Sequence, residues 1–253
     1  MRVGVLDSGV GGLSVLRAIR AQAPELDLVY FADQANLPYG PRSAEEICAL
    51  SATATEQLLA ARCEAIVVAC NTASAAALES LRKQHPQIPF VGMEPAIKPA
   101  AAITRNGVIG VLATPGTLRG DLFRRSRASH AAEHRVIEQP CEGWVEQVEA
   151  GVLNDAAAHD LVARDLQPLL AAGADVLVLG CTHFPFLESM ISSCAGPAVH
   201  LIDPAPAVAA QLLRVIGPQR SGSGALFGVS SKCLETLQQQ CVALLGLELQ
   251  PLS

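Results

Sequence analysis

An internal repeat is the feature that most limits how this chain can fold. Residues 58–72 (LLAARCEAIVVACNT) match residues 169–183 (LLAAGADVLVLGCTH) without a gap, and the match aligns Cys70 with Cys181. Such ordered self-similarity is typical of a duplicated domain. Two further matches keep the same order at nearly the same shift, pairing 3–13 with 109–118 and 94–101 with 203–210.

Short β-rich apolar runs alternate with longer helical stretches in both halves, which is typical of parallel sheets covered by helices. The sequence therefore predicts an α/β fold of two similar parallel-sheet lobes, related by a pseudo-twofold axis, with the active site in the cleft between them. We expect the first lobe to comprise 1–98 plus 207–253, and the second to comprise 99–206. Strands are predicted near 2–6, 28–32, 65–69, 89–92, 108–112, 135–138, 175–179 and 199–202. Helices are predicted at 13–23, 43–61, 73–84, 117–129, 155–172, 186–193, 204–216 and 231–244, with Ser43, Thr117 and Asp155 as caps.

Composition narrows the class of protein. The 253 residues carry a formal net charge of −6, and the short RRSR run at 124–127 is their only basic cluster, so we expect no nucleic-acid partner. No apolar run reaches the ~18 residues of a membrane span, and the N-terminus begins a strand rather than a signal peptide, so a cytoplasmic protein without membrane contact is expected. The eight cysteines contain no CxxC pair and are interpreted as reduced thiols.

Unusual residues follow the apolar runs, where parallel sheets bind their ligands. Asp7, Cys70, Thr114 and Cys181 all stand at such strand ends, next to residues that can open a helix. A thiol beside a helix N-terminus is expected to ionise more easily than one in water. Two thiols facing one ligand could remove a proton from one side of a carbon and return it to the other.

Other interpretations of the same residues stay open at this point. A buried cysteine often only packs as a small apolar side chain, and CTH (181–183) could be half of a zinc site, although no third ligand stands at a recognisable spacing. PYG (38–40) can be interpreted from its spacing as a plain surface turn, or as a loop whose backbone N–H groups hold a carboxylate. Glu149 is by itself an ordinary exposed helical glutamate.

Four motifs, in order, carry a family resemblance. With DSGVGG (7–12), PYG (38–40), VACNTA (68–73) and GCTHFP (180–185), the chain resembles the cofactor-independent glutamate racemases of bacterial cell-wall synthesis. The resemblance implies an isomerase without cofactor or metal, with glutamate as its small-molecule substrate and with a homodimeric assembly. The chain departs from the family pattern at CEGWVEQVE (141–149), where the family usually has an apolar segment with a proline.

The resemblance also implies a role for each matching residue. Cys70 would take the α-proton of D-glutamate and Cys181 that of L-glutamate. Asp7 and His183 would assist the two thiols, and Glu149 would support one side. The remaining motif residues would bind the substrate: Ser8, Pro38, Tyr39, Gly40, Asn71, Thr72, Thr114, Thr117 and Thr182.

Three rival mechanisms or functions fit the sequence less well. A pyridoxal phosphate enzyme needs a lysine, and Lys83, Lys98 and Lys232 do not stand at convincing strand ends. A cysteine hydrolase would leave one of the two thiols idle. A two-lobed binding protein for a small acid remains the main alternative outside catalysis, and such proteins are commonly secreted.

Overall fold

The protein contains two separate parallel sheets. Its structure is a computed structural model that describes residues 1–218 and 220–252. Ten strands are present in this part of the chain: β1 (Arg2–Asp7), β2 (Asp27–Ala32), β3 (Ala65–Val68), β4 (Phe90–Gly92), β5 (Val108–Ala113), β6 (Arg135–Pro140), β7 (Val176–Gly180), β8 (His200–Ile202), β9 (Leu226–Ser230) and β10 (Gln250–Pro251). Each of the eight predicted strands overlaps one of β1 to β8.

The strand order repeats between the two sheets. The six-stranded sheet has the order β10-β9-β2-β1-β3-β4, and the four-stranded sheet has the order β6-β5-β7-β8. The second order reproduces β2-β1-β3-β4 of the first sheet, with β5 in the place of β1 and β7 in the place of β3. The duplication read from the sequence is therefore present in the topology, and the predicted two-lobed α/β fold is confirmed.

Helices connect the strands and cover both sheets. They are α1 (Leu13–Gln22), α2 (Ala44–Ala60), α3 (Asn71–Gln84), α4 (Ile97–Ile103), α5 (Pro115–Arg119), α6 (Asp121–His130), α7 (Trp144–Glu149), α8 (Ala156–Ala171), α9 (Glu188–Ala195), α10 (Ala205–Ile216) and α11 (Leu234–Leu245). A short 3-10 helix, Phe184–Leu187, leads into α9. No helix in residues 1–218 and 220–252 is both long and apolar enough to cross a membrane.

Two of the three predicted helix caps are confirmed. The hydroxyl of Ser43 accepts the N–H of Glu46 in a reciprocal capping box, and the carboxylate of Asp155 accepts the N–H of Ala158. The prediction of Thr117 as a cap is wrong, because Thr114 caps α5 by accepting the Thr117 N–H at 3.3 Å. Proline is favoured in the first turn of a helix, so Pro115 starts α5 two residues earlier than predicted.

Some elements escaped the sequence analysis. The predicted helix 117–129 is split in two, because Gly120 adopts an extended conformation between α5 and α6. The short helices α4 and α7 were not predicted, and neither were β9 and β10. β9 pairs with β2, so the tail of the chain adds strands to the first sheet. The proposed lobe boundaries stay a prediction, and Gln219 and Ser253 lie outside the described residues.

One apolar core extends through both lobes. It includes Val5 and Tyr30 of the first sheet, Leu179 of the second sheet and Trp144 of α7, all of them buried. A continuous core of this kind stabilises the contact between the lobes as well as each lobe. Consequently the strand ends of one sheet are held against those of the other, which is where the polar residues lie.

Candidate active site

Strand ends from both sheets meet at one cavity of about 490 Å³. Ser8 follows β1, Cys70 follows β3, Thr114 follows β5 and Cys181 follows β7, and all four line this cavity. Residues from both lobes thus face the same space, as the repeat predicts. The predicted site residues on its wall are Ser8, Pro38, Tyr39, Gly40, Cys70, Asn71, Thr72, Thr114, Cys181, Thr182 and His183.

Cys70 lies at the N-terminal end of α3 and is buried. Its sulfur accepts the N–H of Ala73 at 3.4 Å and lies 3.7 Å from the Ser8 hydroxyl. Burial, followed by the nearby negative charge of Asp7, raises the pKa of the Cys70 thiol to about 12, although both hydrogen bonds lower it. The expectation that this thiol ionises more easily than in water is therefore wrong, because loss of solvation exceeds the effect of the helix end.

Cys181 begins a chain of buried side chains in the second lobe. Its sulfur lies 3.6 Å from Nδ1 of His183, and Nε2 of His183 lies 2.7 Å from Oε1 of Glu149. Burial alone lowers the pKa of His183, but the hydrogen bonds with Cys181 and Glu149 outweigh it and raise the pKa well above 6.5. A proton can therefore pass between the sulfur and an imidazole whose far side is held by a carboxylate.

Glu149 is not the exposed helical residue that its spacing suggested. Its side chain is 12% exposed, and the same Oε1 atom that binds His183 accepts the N–H of Val10 at 2.7 Å. This carboxylate therefore joins α7 of the second lobe to the glycine-rich turn after β1. It does not line the cavity, and its contact with the ligand-facing residues is through His183.

Asp7 joins the lobes from the other direction. It is fully buried, and its carboxylate accepts the N–H of Gly9 at 2.9 Å and the hydroxyl of Thr182 at 3.0 Å. Burial raises the pKa of Asp7 above its usual 3.8, against the lowering effect of His183 and of both hydrogen bonds. Asp7 thus lies behind the cavity wall, in contact with Thr182, rather than on the wall itself.

The glycine-rich turn owes its composition to this contact between lobes. A Cβ atom on Gly11 would collide with the His183 imidazole and would lie 2.5 Å from Oγ1 of Thr182. A Cβ atom on Gly9 would collide with the Glu149 carboxylate. The turn therefore needs glycine so that its backbone can approach the second lobe.

Three threonines join the lobes on another side of the cavity, with Thr72 and Thr114 on its wall and the buried Thr117 behind them. Oγ1 of Thr72 lies 2.9 Å from Oγ1 of Thr114 and 3.3 Å from that of Thr117, and the last two are 3.1 Å apart. Next to them, the buried Asn71 has no hydrogen-bond partner for either its Nδ2 or its Oδ1 atom within the described chain. A buried amide without partners is costly, so these two atoms indicate a polar ligand in the cavity.

The PYG loop is part of the cavity wall rather than a plain surface turn. Tyr39 and Gly40 are buried, and the Tyr39 hydroxyl donates to Asp33 at 2.6 Å. Burial and this bond to Asp33 raise the pKa of Tyr39 far above 10, so its phenol stays neutral. This bond thereby fixes the loop in the cavity wall.

Several wall residues were missed by the sequence analysis. Cys141, Glu142 and Gly143 follow β6, so the rule applied to the other strand ends could have found them. Arg119 carried no such signal, because it stands at the end of α5, away from any strand. The other unpredicted wall residues are Leu37, Pro41, Pro115, Val145 and Glu146. Residues 1–218 and 220–252 contain no group of three or more His, Cys, Asp or Glu side chains that could hold a metal ion.

Comparison with known proteins agrees with these features. Residues 3–212 match the model of the Asp/Glu/Hydantoin racemase family. The chain belongs to this family. It is therefore an enzyme of the isomerase class, and the resemblance read from its motifs is confirmed.

Individual relatives of this racemase are glutamate racemases. It is 54% identical to that of Ectopseudomonas mendocina, over 85% of this chain and 82% of the relative. It is 49% identical to that of Herpetosiphon aurantiacus, over 92% of this chain and 97% of the relative. Among solved structures, a glutamate racemase isoform of Bacillus anthracis superposes with a TM-score of 0.88 at 32% identity, covering 98% of this chain and 95% of that one. The Escherichia coli glutamate racemase in complex with L-glutamate and an activator gives 0.86 at 33% identity, covering 97% and 94%.

Proposed function

We propose that this racemase interconverts L- and D-glutamate without a cofactor, using Cys70 and Cys181 as bases on opposite faces of the α-carbon. The observation that carries the proposal is that both thiols line one cavity, each at the equivalent strand end of its own lobe. Their polar partners are separate: Ser8 and Ala73 for Cys70, and His183 for Cys181. Each thiol thus has hydrogen-bonding partners of its own.

Two bases solve the stereochemical problem of racemisation. A single base would have to move around the carbanion, or the carbanion would have to turn over, before the proton could return to the other face. With one thiol on each side, Cys70 removes the proton from D-glutamate while Cys181 supplies one, and the reverse direction exchanges these tasks. The reaction balances, because one thiolate gains a proton from the α-carbon while the other thiol gives its own proton to the carbanion.

The substrate itself has to help ionise the thiols. Each pKa unit corresponds to about 1.4 kcal/mol, so a thiol with a pKa of about 12 is ionised at neutral pH only at a cost of several kcal/mol. An ammonium group held in the cavity favours a thiolate beside it, since opposite charges stabilise each other in a poorly solvated site. On the other side, the imidazole of His183 accepts the proton of Cys181, and Glu149 stabilises the resulting imidazolium.

Neutral hydrogen-bonding groups would hold the rest of the amino acid. The unpartnered amide of Asn71 provides both a donor and an acceptor. Hydroxyl groups of Ser8, Thr72, Thr114 and Thr182 and the backbone of the 38–40 loop complete the set, with Thr117 orienting the other threonines. Such a site can stabilise the developing carbanion through oriented dipoles. Glutamate is proposed as substrate because the relatives above are glutamate racemases.

The cellular role follows from the same relationship. We propose that the enzyme supplies D-glutamate for peptidoglycan synthesis in the cytoplasm and that it acts as a homodimer. Complementation of a bacterial D-glutamate auxotroph tests the first point, and failure of an expressed, folded protein to restore growth would count against it. Sedimentation equilibrium tests the second.

The direct test is racemisation in heavy water. Purified protein is incubated with L-glutamate in D₂O after dialysis against a chelator and a carbonyl-trapping reagent, while optical rotation and α-deuterium are followed together. The proposal expects undiminished activity, with deuterium entering the product enantiomer at the α-carbon. Activity that disappears on dialysis and returns only with zinc or pyridoxal phosphate would refute it.

A further inference from the structure

One positive charge stands at the entrance of the active-site cavity. The exposed residues among those lining it are Pro41, Arg119, Glu142 and Glu146, which we call the cavity mouth. Within the described chain, Arg119 is the only lysine or arginine on the cavity wall. The His183 imidazole, the other possible cation, is buried and engaged with Cys181 and Glu149.

The position of Arg119 is fixed by a close contact between the lobes. It is the last residue of α5, and its Nη2 atom donates to the backbone carbonyl of Gly40 at 3.3 Å. Earlier in the same helix, a Cβ atom on Gly116 would lie only 2.9 Å from that carbonyl oxygen. Helix α5 thus contacts the 38–40 loop directly, and the guanidinium group is held where the loop meets the cavity mouth.

The charge of Arg119 is not neutralised by the protein. In residues 1–218 and 220–252, no carboxylate forms an ion pair with it within 4.0 Å, whereas Arg124, Arg125 and Arg127 of the neighbouring helix are all paired. A guanidinium group has five N–H donors in a fork that suits a carboxylate. One long bond to Gly40 leaves most of them available for a ligand.

The substrate class needs such a group. Glutamate carries two carboxylates and one ammonium group near neutral pH, so it approaches the protein as an anion. The chain has a formal net charge of −6, and Glu142 and Glu146 add two carboxylates at the mouth. These charges repel the substrate, and attraction by an opposite charge at a cleft entrance raises the association rate.

We propose that Arg119 captures the substrate: its guanidinium group attracts the anionic amino acid to the cavity mouth and positions it for entry beneath the 38–40 loop. This inference rests on the proposed function. It assigns Arg119 to substrate entry and not to proton transfer, since the residue lies at the mouth and has no contact with either thiol. Substituting it should therefore affect kcat/KM and KM much more than kcat.

Four variants test this role by initial rates in both directions. Arg119→Gln should lower kcat/KM about fivefold, the equivalent of the ~1 kcal/mol of a favourable exposed ion pair, with kcat changed less than about twofold. Arg119→Lys keeps the charge and should stay within about twofold of wild type, and Glu146→Gln should raise kcat/KM because it removes a repelling charge. Arg214→Gln, an exposed arginine of α10 that does not line the cavity, is the matched control.

Ionic strength supplies a second readout. Raising salt from about 20 to about 500 mM screens the attraction to Arg119 as well as the repulsion by the carboxylates, so the ratio of kcat/KM between the wild type and Arg119→Gln should fall towards one. The inference is overturned if Arg119→Gln matches Arg214→Gln, if Arg119→Lys is as impaired as Arg119→Gln, or if this ratio does not change with salt. Arg119→Met, which keeps most of the side-chain length, takes the place of Arg119→Gln if that variant does not fold. A wild type that does not racemise glutamate would instead refute the proposed function.

Discussion

The link between Glu149 and His183 makes a quantitative prediction for Glu149→Gln. Glutamine keeps the shape of the side chain, so its amide oxygen can still accept the N–H of Val10 and can accept from His183 Nε2. The substitution removes only the negative charge that helps to raise the pKa of His183. The imidazolium that forms when Cys181 gives up its proton would then lose its stabilising partner.

The size of the effect follows from the kind of bond that is weakened. A buried hydrogen bond to a charged group contributes about 1.5–3 kcal/mol, so kcat/KM should fall about 10- to 150-fold. Because L- and D-glutamate have equal free energies in water, kcat/KM must fall by the same factor in both directions. The asymmetry between the thiols therefore has to be sought in isotope effects and not in these rates.

Isotope effects on 2-deuterated substrates are the informative assay. If Glu149 serves Cys181, proton removal from L-glutamate becomes more rate-limiting, so the primary isotope effect should increase for L-glutamate and decrease for D-glutamate. Glu133→Gln, the same change at an exposed residue before β6, is the control and should leave both values unchanged. An increase for D-glutamate, or a loss of kcat/KM below about threefold, would contradict the Cys181–His183–Glu149 relay.

Four more substitutions test other parts of the site. Cys70→Ser and Cys181→Ser should each nearly abolish racemisation. Each variant should still eliminate the leaving group from one enantiomer of a substrate analogue with a β-leaving group, measured by product absorbance, and the two variants should act on opposite enantiomers. The same enantiomer preference in both variants would contradict the two-base scheme. Gly11→Ala should lose more than about 2 kcal/mol of unfolding free energy in urea, because its Cβ collides with His183, and an unchanged midpoint would disprove the close contact. Asp7→Asn should lose activity but raise Tm at pH 7–8. Burial raises the pKa of Asp7, so ionisation of its carboxyl group destabilises the folded protein above that pKa, and this destabilisation disappears as pH falls. An equal or lower Tm at pH 7–8 would show that the hydrogen bonds from Gly9 and Thr182 outweigh that cost.

The positions of the thiols could be predicted because a single rule links sequence to place. Cys70 and Cys181 follow apolar runs that can only be strands, and parallel strand ends of a duplicated fold meet at one cleft. The ionisation of Cys70 could not be predicted in this way. The pKa of Cys70 depends on how much water the other lobe excludes from the thiol. Residues that are close in space but distant in sequence determine this exclusion.

Elements that depend on distant partners also escaped the sequence analysis. β9 contains Gly228 within a short run and becomes a strand through its pairing with β2, almost two hundred residues earlier. Helix α7 is six residues long, too short for a periodic pattern to identify, yet it carries Glu149. Its place is set by Trp144, whose ring packs at a tilt against that of Phe184 with the ring centroids 4.8 Å apart, and whose indole N–H donates to Asp165 at 3.0 Å.

Two contacts between the lobes serve different parts of the site. On one side, Gly9 and Gly11 bring the turn after β1 against Glu149 and His183 with no room for an added methyl group. This side orients the thiol of Cys181, and any separation there would break the proton relay. On the other side, the lobes meet through the three threonine hydroxyls and the bond from Arg119 to Gly40. Such bonds can be exchanged for bonds to water at little cost. The glycine turn therefore keeps the catalytic groups in place, whereas the second side is held by hydrogen bonds that depend less on exact packing.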